Sequence, residues 1–145
     1  MVRHVLHRRA TLACVVFASF AASACGQAPS SPRSPAPVIH VTERDFKISA
    51  PKVVSAGDHA LEVENYGPER HELIVAREGK THLPFRRDGL TLNEDAVEPV
   101  IVGALEPEQP GTHVLRVHLK PGRYVLFCNM AGHYLSGMDR DIEVR

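Results

Sequence analysis

Apolar and polar residues alternate along much of the chain beyond residue 38, with the two-residue period of strands lying on a core. From His59 to Glu64, Leu61 and Val63 point one way while Glu62 and Glu64 point the other. The stretch from His113 to Leu119 repeats this, with Leu115, Val117 and Leu119 on one face and Arg116 and His118 opposite. From Asp139 to Val144, Ile142 and Val144 point inward and Asp141 and Glu143 outward. His71, Leu73 and Val75 share a face between His71 and Ala76. Val38 to Ile48 is rich in β-branched and aromatic residues and is ended by Pro51. Arg123 to Cys128 is a nearly continuous apolar run, as expected of a strand covered on both faces. Asn65-Tyr66-Gly67-Pro68 and Lys120-Pro121-Gly122 read as turns. Six short strands punctuated in this way predict an all-β Greek-key β-sandwich over residues 38–145. Residues 77–111 read as a long crossover, with Asn93 capping one helical turn at Glu94-Asp95-Ala96.

The first 37 residues follow different rules. Arg3, Arg8 and Arg9 precede an apolar run from Ala10 to Ala24, which is the layout of an export signal and too short to span a bilayer. Ala22-Ser23-Ala24 forms a small-x-small cleavage site before Cys25, giving a predicted signal peptide over 1–24. Two outcomes share that cut. Cys25 becomes the lipidated first residue of a bacterial lipoprotein, with Ala22 where such sites usually carry Leu, or a soluble exported protein is released. The Arg8-Arg9 pair lies in flanks that match a twin-arginine signal poorly. Residues 25–37 are rich in Pro and Ser and read as a linker, suited to holding a domain away from a membrane.

With 145 residues, of which 43% are hydrophobic, the chain can build one modest core. Lys and Arg total 17 and so do Asp and Glu; without the three arginines of residues 1–24 the remainder carries 14 basic against 17 acidic residues. A mildly acidic domain lacking a basic stripe is a poor nucleic-acid binder. Cysteine usage is more informative. Cys14 lies in the predicted signal and Cys25 at the predicted new terminus, which leaves Cys128 without a disulfide partner. Metal ligation would account for an unpaired thiol in an oxidising compartment.

Cys128, His133 and Met138 recur at five-residue intervals in Cys128-Asn129-Met130-Ala131-Gly132-His133-Tyr134-Leu135-Ser136-Gly137-Met138. Residues five apart share no face in a strand or a helix, so this spacing implies a loop, with Gly132 and Gly137 giving the backbone its freedom. A thiolate, an imidazole and a weak thioether are three of the four donors of a blue-copper electron-transfer site. The missing donor is a second histidine. His71 is the best placed, where the Asn65–Pro68 turn enters a strand whose hydrogen bonds would hold a ligand still. His113 shares a face with Leu115 and Val117 and reads as an edge or buried histidine, while His40, His59, His82 and His118 read as solvated.

These residues resemble the small blue-copper proteins of the cupredoxin (plastocyanin/azurin) superfamily. The resemblance is carried by Asn65-x-Gly67 through His71-Glu72-Leu73, and by Pro121-Gly122-x-Tyr124 through Cys128, His133, Gly137 and Met138. The four residues between Cys128 and His133 make the loop similar to that of rusticyanin-, sulfocyanin- and auracyanin-like members. The resemblance implies one type 1 copper ion held by His71 Nδ1, Cys128 Sγ and His133 Nδ1 in a trigonal plane, with Met138 Sδ as a long axial ligand. It implies a monomeric one-electron carrier between redox protein partners rather than an enzyme. No His-x-His cluster of a catalytic copper centre is present, and no nucleophile motif stands out. The His133 ring edge is expected to emerge as the electron port through a docking patch of Met130, Ala131, Tyr134 and Leu135. The alternative function is copper carriage or storage, with delivery to another exported protein.

Overall fold

A computed structural model describes residues 35–77 and 83–145. The predicted signal, Cys25, most of the linker and His82 lie outside these residues. Nine strands form two sheets: β1 (Val38–Arg44), β2 (Lys47–Ser49), β3 (Val53–Val54), β4 (Gly57–Asn65), β5 (His71–Ala76), β6 (Ile101–Glu108), β7 (Gly111–Leu119), β8 (Gly122–Phe127) and β9 (Asp139–Val144). One sheet has the order β2-β1-β4-β7 and the other β3-β9-β8-β5-β6. Two pairings are parallel, β1 with β4 and β3 with β9; the others are antiparallel. The chain changes sheets repeatedly, as a Greek-key sandwich requires.

Alternation decides which side of each strand is buried. Ile39 and Val41 on β1, Leu61 and Val63 on β4, and Leu115, Val117 and Leu119 on β7 meet Leu73, Val75, Tyr124, Leu126, Ile142 and Val144 of the facing sheet. Burial of such aliphatic side chains contributes about 1.5–3 kcal/mol each, which makes this inter-sheet layer the main source of stability. Tyr124 adds a polar anchor: its hydroxyl donates to Lys120 O at 2.9 Å and accepts from Lys120 N at 3.0 Å.

Three expectations need correction. The predicted strand from Val38 to Ile48 is two strands, β1 and β2, joined by a tight turn at Asp45 and Phe46, both with positive φ (43° and 63°). The crossover at 77–111 contains β6, whose alternation is broken by Gly103 and Pro107. Gly103 is there for close approach, since a Cβ would meet Val117 Cγ1 at 2.9 Å. The short helix α1 (Glu94–Val97) does form after Asn93, but Asn93 makes no side-chain cap; its carbonyl accepts from Ala96 and Val97.

The crossover also explains the continuous apolar run of β8. Ile74, Ala76, Val125 and Phe127 face away from the inter-sheet core and pack with Leu92. Leu83, Val100, Ile101 and Tyr134 close over this second cluster. The five-stranded sheet is therefore covered on both faces beside the loop that follows β8.

Candidate metal centre

The turn between β4 and β5 is built by one side chain. Asn65 Oδ1 accepts from Gly67 N at 2.9 Å, and Asn65 Nδ2 donates to Glu69 O at 2.9 Å. This closes the turn and delivers His71 to the first position of β5. Gly67 presses against the imidazole, because a Cβ there would lie 3.1 Å from His71 Nε2. No larger residue fits without moving the ring.

Cys128 follows the last residue of β8, and Met138 precedes the first residue of β9. Since Phe127 pairs with Asp139, Cys128 and Met138 form the next rung, and Cys128 N donates to Met138 O at 3.1 Å. The intervening loop folds into tight turns: His133 N donates to Met130 O at 2.9 Å, and Met138 N donates to His133 O at 3.1 Å. Gly132 and Gly137 take φ of 83° and 89°, which L side chains avoid. The five-residue spacing is thus the geometry of a hairpin loop that folds His133 back between its two ends.

These elements bring His71, Cys128 and His133 together, all buried, with their donor atoms within 4.8 Å of one another. The two Nδ1 atoms are 3.3 Å apart, and Cys128 Sγ is 3.4 Å from His133 Nδ1. Two nitrogens bound to one ion at about 2.0–2.1 Å and at 120° would be separated by roughly 3.5 Å. The observed spacing fits a shared metal ion. Met138 is fully buried in the same hydrophobic cluster as Cys128, and its backbone carbonyl accepts from Cys128 N. A soft thiolate and two imidazoles suit a single type 1 copper ion.

Electrostatics favour neutral, metal-ready imidazole and a protonated thiol before metal binds. Burial, then the neighbouring His133, holds His71 below the usual histidine range, against the opposing charges of Glu69 and Asp45. Burial pushes the Cys128 thiol up to about 11, partly offset by the N–H groups of Glu72 and Met130 directed at the sulfur. Those two N–H groups are the donors a bound thiolate would use.

Two carboxylates near the site, Glu72 and Glu43, have no role predicted from the sequence. Glu72 Oε1 accepts from Asn129 N at 2.6 Å and ties β5 to the residue after Cys128. Burial raises its pKa, and the Asn129 N–H opposes the rise. Glu43 is only 2% exposed and its Oε1 has no hydrogen-bond partner. Burial, reinforced by the charge of Glu72, pushes it up to about 8. Alternation held the signal, because Glu43 shares the inward parity of Ile39 and Val41 on β1. Asn129 pins the crossover to the site: its Oδ1 accepts from Leu92 N at 2.5 Å, and its Nδ2 donates to Leu92 O at 3.1 Å and Glu94 Oε1 at 2.7 Å.

The outer edge differs from expectation. His133 is 6% exposed, so its ring does not stand out through an apolar collar. The exposed ring of Phe46 covers it edge-on, with centroids 4.9 Å apart. Glu69 Oε2 is 3.5 Å from His133 Nε2. Of the expected docking patch, Ala131 and Leu135 are exposed, whereas Met130 is half-buried against the core. Tyr134 turns toward Phe85 and Phe127. Among the other histidines, His40 and His118 are exposed, and His113 is half-buried on Gln109 O. His59 is buried rather than solvated, its Nε2 2.8 Å from Ser55 O.

A two-sheet β-sandwich that encloses a His–Cys–His cluster beside a buried methionine is a cupredoxin-type fold with a candidate type 1 copper centre. Solved structures agree on the fold. The chain is similar to reduced auracyanin from Roseiflexus castenholzii (TM-score 0.59, 18% identity, covering 74% of this chain and 96% of that one). It is also similar to rusticyanin from Thiobacillus ferrooxidans (0.58, 17%, 77% and 79%). A third similar structure is auracyanin A, a "blue" copper protein from Chloroflexus aurantiacus (0.51, 18%, 74% and 98%). No protein-family model matches the chain, and no curated protein matches it significantly.

Proposed function

We propose that this protein is an exported mononuclear type 1 copper protein that carries single electrons between redox protein partners. The observation that carries the reading is the convergence of His71, Cys128 and His133 in one buried cluster beside Met138. Copper held there would supply a one-electron couple. The chain's own part is to hold the donors still and dry. Strand β5 fixes His71, the β8–β9 rung fixes Cys128 and Met138, and the turns of the loop fix His133. Donors that cannot rearrange leave little to reorganise when the charge of the ion changes, and a thioether paired with a buried thiolate favours the reduced ion. Auracyanin A, a "blue" copper protein of similar fold, supports the copper part of this reading. A partner would dock weakly over the surface that includes Ala131 and Leu135. Export, and anchoring through a lipid on Cys25, rest on the sequence of residues 1–37; among the described residues no helix is long and apolar enough to cross a membrane.

The purified protein should develop an intense visible thiolate-to-copper band on addition of Cu(II). The band should vanish in Cys128→Ser and persist in Met138→Leu with an altered reduction potential. A colourless wild type, or a band retained in Cys128→Ser, would overturn the assignment. Retention of the metal against a chelator through repeated reduction and reoxidation separates electron transfer from copper carriage, since a carrier would lose its metal on cycling.

A further inference from the structure

Glu69 lies at the rim of the site, on the turn that Asn65 closes. Its side chain is 59% exposed, yet its carboxylate oxygen reaches to 3.5 Å from His133 Nε2. The same residue, with Asp45, Phe46 and Pro68, lines a cavity of about 40 Å³ against His71. His71 Nε2 is buried and has no hydrogen-bond partner. The Glu69 carboxylate therefore faces the outer edge of His133, whose Nδ1 converges with that of His71 inside, and it shares a cavity wall with His71. Phe46 holds the His133 ring edge-on, from a turn in which a bulky residue adopts a φ of 63°. That conformation is unfavourable for Phe and persists only where surrounding contacts over-determine it.

We propose that Glu69 is a positioning residue for the metal centre: its carboxylate keeps the hydrogen of His133 on Nε2, leaves Nδ1 free to bind, and stabilises the more highly charged state of the bound ion. The physical basis is general. A ligand imidazole that presents its second N–H to a carboxylate is fixed in tautomer and orientation, and its basicity rises. Phe46 restrains the plane of the ring while Glu69 selects its protonated nitrogen. The backbone of Glu69 is already committed to Asn65, through the carbonyl rather than the side chain. Neutralising the carboxylate therefore leaves the turn intact.

This inference rests on the copper reading above, and its test separates the two. Glu69→Gln and Glu69→Asp are compared with Glu62→Gln, which removes a negative charge from β4 elsewhere on the surface. In the copper-free protein, ¹⁵N shifts of His133 should show the Nε2-protonated tautomer for wild type and a mixture for Glu69→Gln. In the copper-loaded protein, Glu69→Gln should raise the reduction potential, corresponding to a roughly tenfold fall in the preference for Cu(II) over Cu(I). Glu69→Asp should restore part of the shift, and Glu62→Gln should leave wild-type values. The shift should shrink with added salt, as expected of a partly exposed charge. If the band forms but Glu69→Gln matches Glu62→Gln in both tautomer and potential, the role of Glu69 is wrong and the copper reading stands. A wild type that forms no band overturns the copper reading, and the tautomer comparison then decides the role of Glu69 by itself.

Discussion

The buried carboxylate of Glu43 makes stability depend on pH in an unusual direction. Most carboxylates in folded proteins are held below their ordinary pKa and stabilise the fold as pH rises. Glu43 is the opposite case. Desolvation between the sheets, reinforced by Glu72, raises its pKa from 4.5 to about 8. Folding therefore favours its protonated form. The stability it contributes is fully present below pH 4.5, declines as pH rises, and is gone above about pH 8. At 1.36 kcal/mol per pH unit, the interval corresponds to about 5 kcal/mol, a large share of the 5–15 kcal/mol typical of a domain. Glu43→Gln has nearly the shape of the protonated acid and cannot ionise. Denaturant unfolding of copper-free protein between pH 4.5 and 9 should give coincident midpoints for wild type and variant at the acid end. The variant should then gain progressively, reaching several kcal/mol by pH 8–9. Curves that stay within about 0.5 kcal/mol of each other over the whole range, as for an ordinary surface substitution, would refute the assignment of Glu43 as a buried, destabilised charge.

Metal binding should release close to one proton per ion at pH 7, because the Cys128 thiol is pushed up to about 11 while His71 is held low. Calorimetry in buffers of different ionisation enthalpy measures this, and apparent affinity should rise roughly tenfold per pH unit between 7 and 10. Gly67→Ala places a methyl 3.1 Å from His71 Nε2, so it should displace the ring and weaken copper binding by at least about tenfold, with far-UV circular dichroism unchanged; wild-type affinity would contradict the close packing. Tyr124→Phe removes the hydroxyl that serves both Lys120 N and O and should cost about 1–3 kcal/mol in denaturant unfolding while leaving the copper band in place.

Much of the sandwich can be read from single segments. β5 and β9 have the predicted limits, and the inward faces of β4, β7 and β9 follow from alternation. Where the reading fails, a local pattern is interrupted for a non-local reason. Gly103 breaks the rhythm of β6 because Val117 of the facing sheet needs the space. The Asp45–Phe46 turn interrupts an apparently continuous strand through a left-handed conformation that Asp tolerates but Phe does not advertise. The inward side of Glu43 follows from the parity of Ile39 and Val41, but the setting of Glu72 was hidden for a related reason. A carboxylate in a sequence reads as solvent-facing, and only the contact with Asn129 after β8 shows that Glu72 is half-buried and tied to the site.

The donor types, their order, and the loop that carries three of them are legible in the sequence alone. Ligand chemistry and turn chemistry are local properties: a thiol, an imidazole and a thioether spaced across two glycines have few structural alternatives. How the donors converge and what surrounds them are set by the folded arrangement. The β8–β9 rung brings Cys128 and Met138 together, the register of β5 against β8 sets Glu72 against Asn129, and the β1–β2 turn lays Phe46 on His133. These are distances between residues far apart in the chain. They are fixed by cross-strand pairing and by close packing of two sheets, which no local pattern encodes.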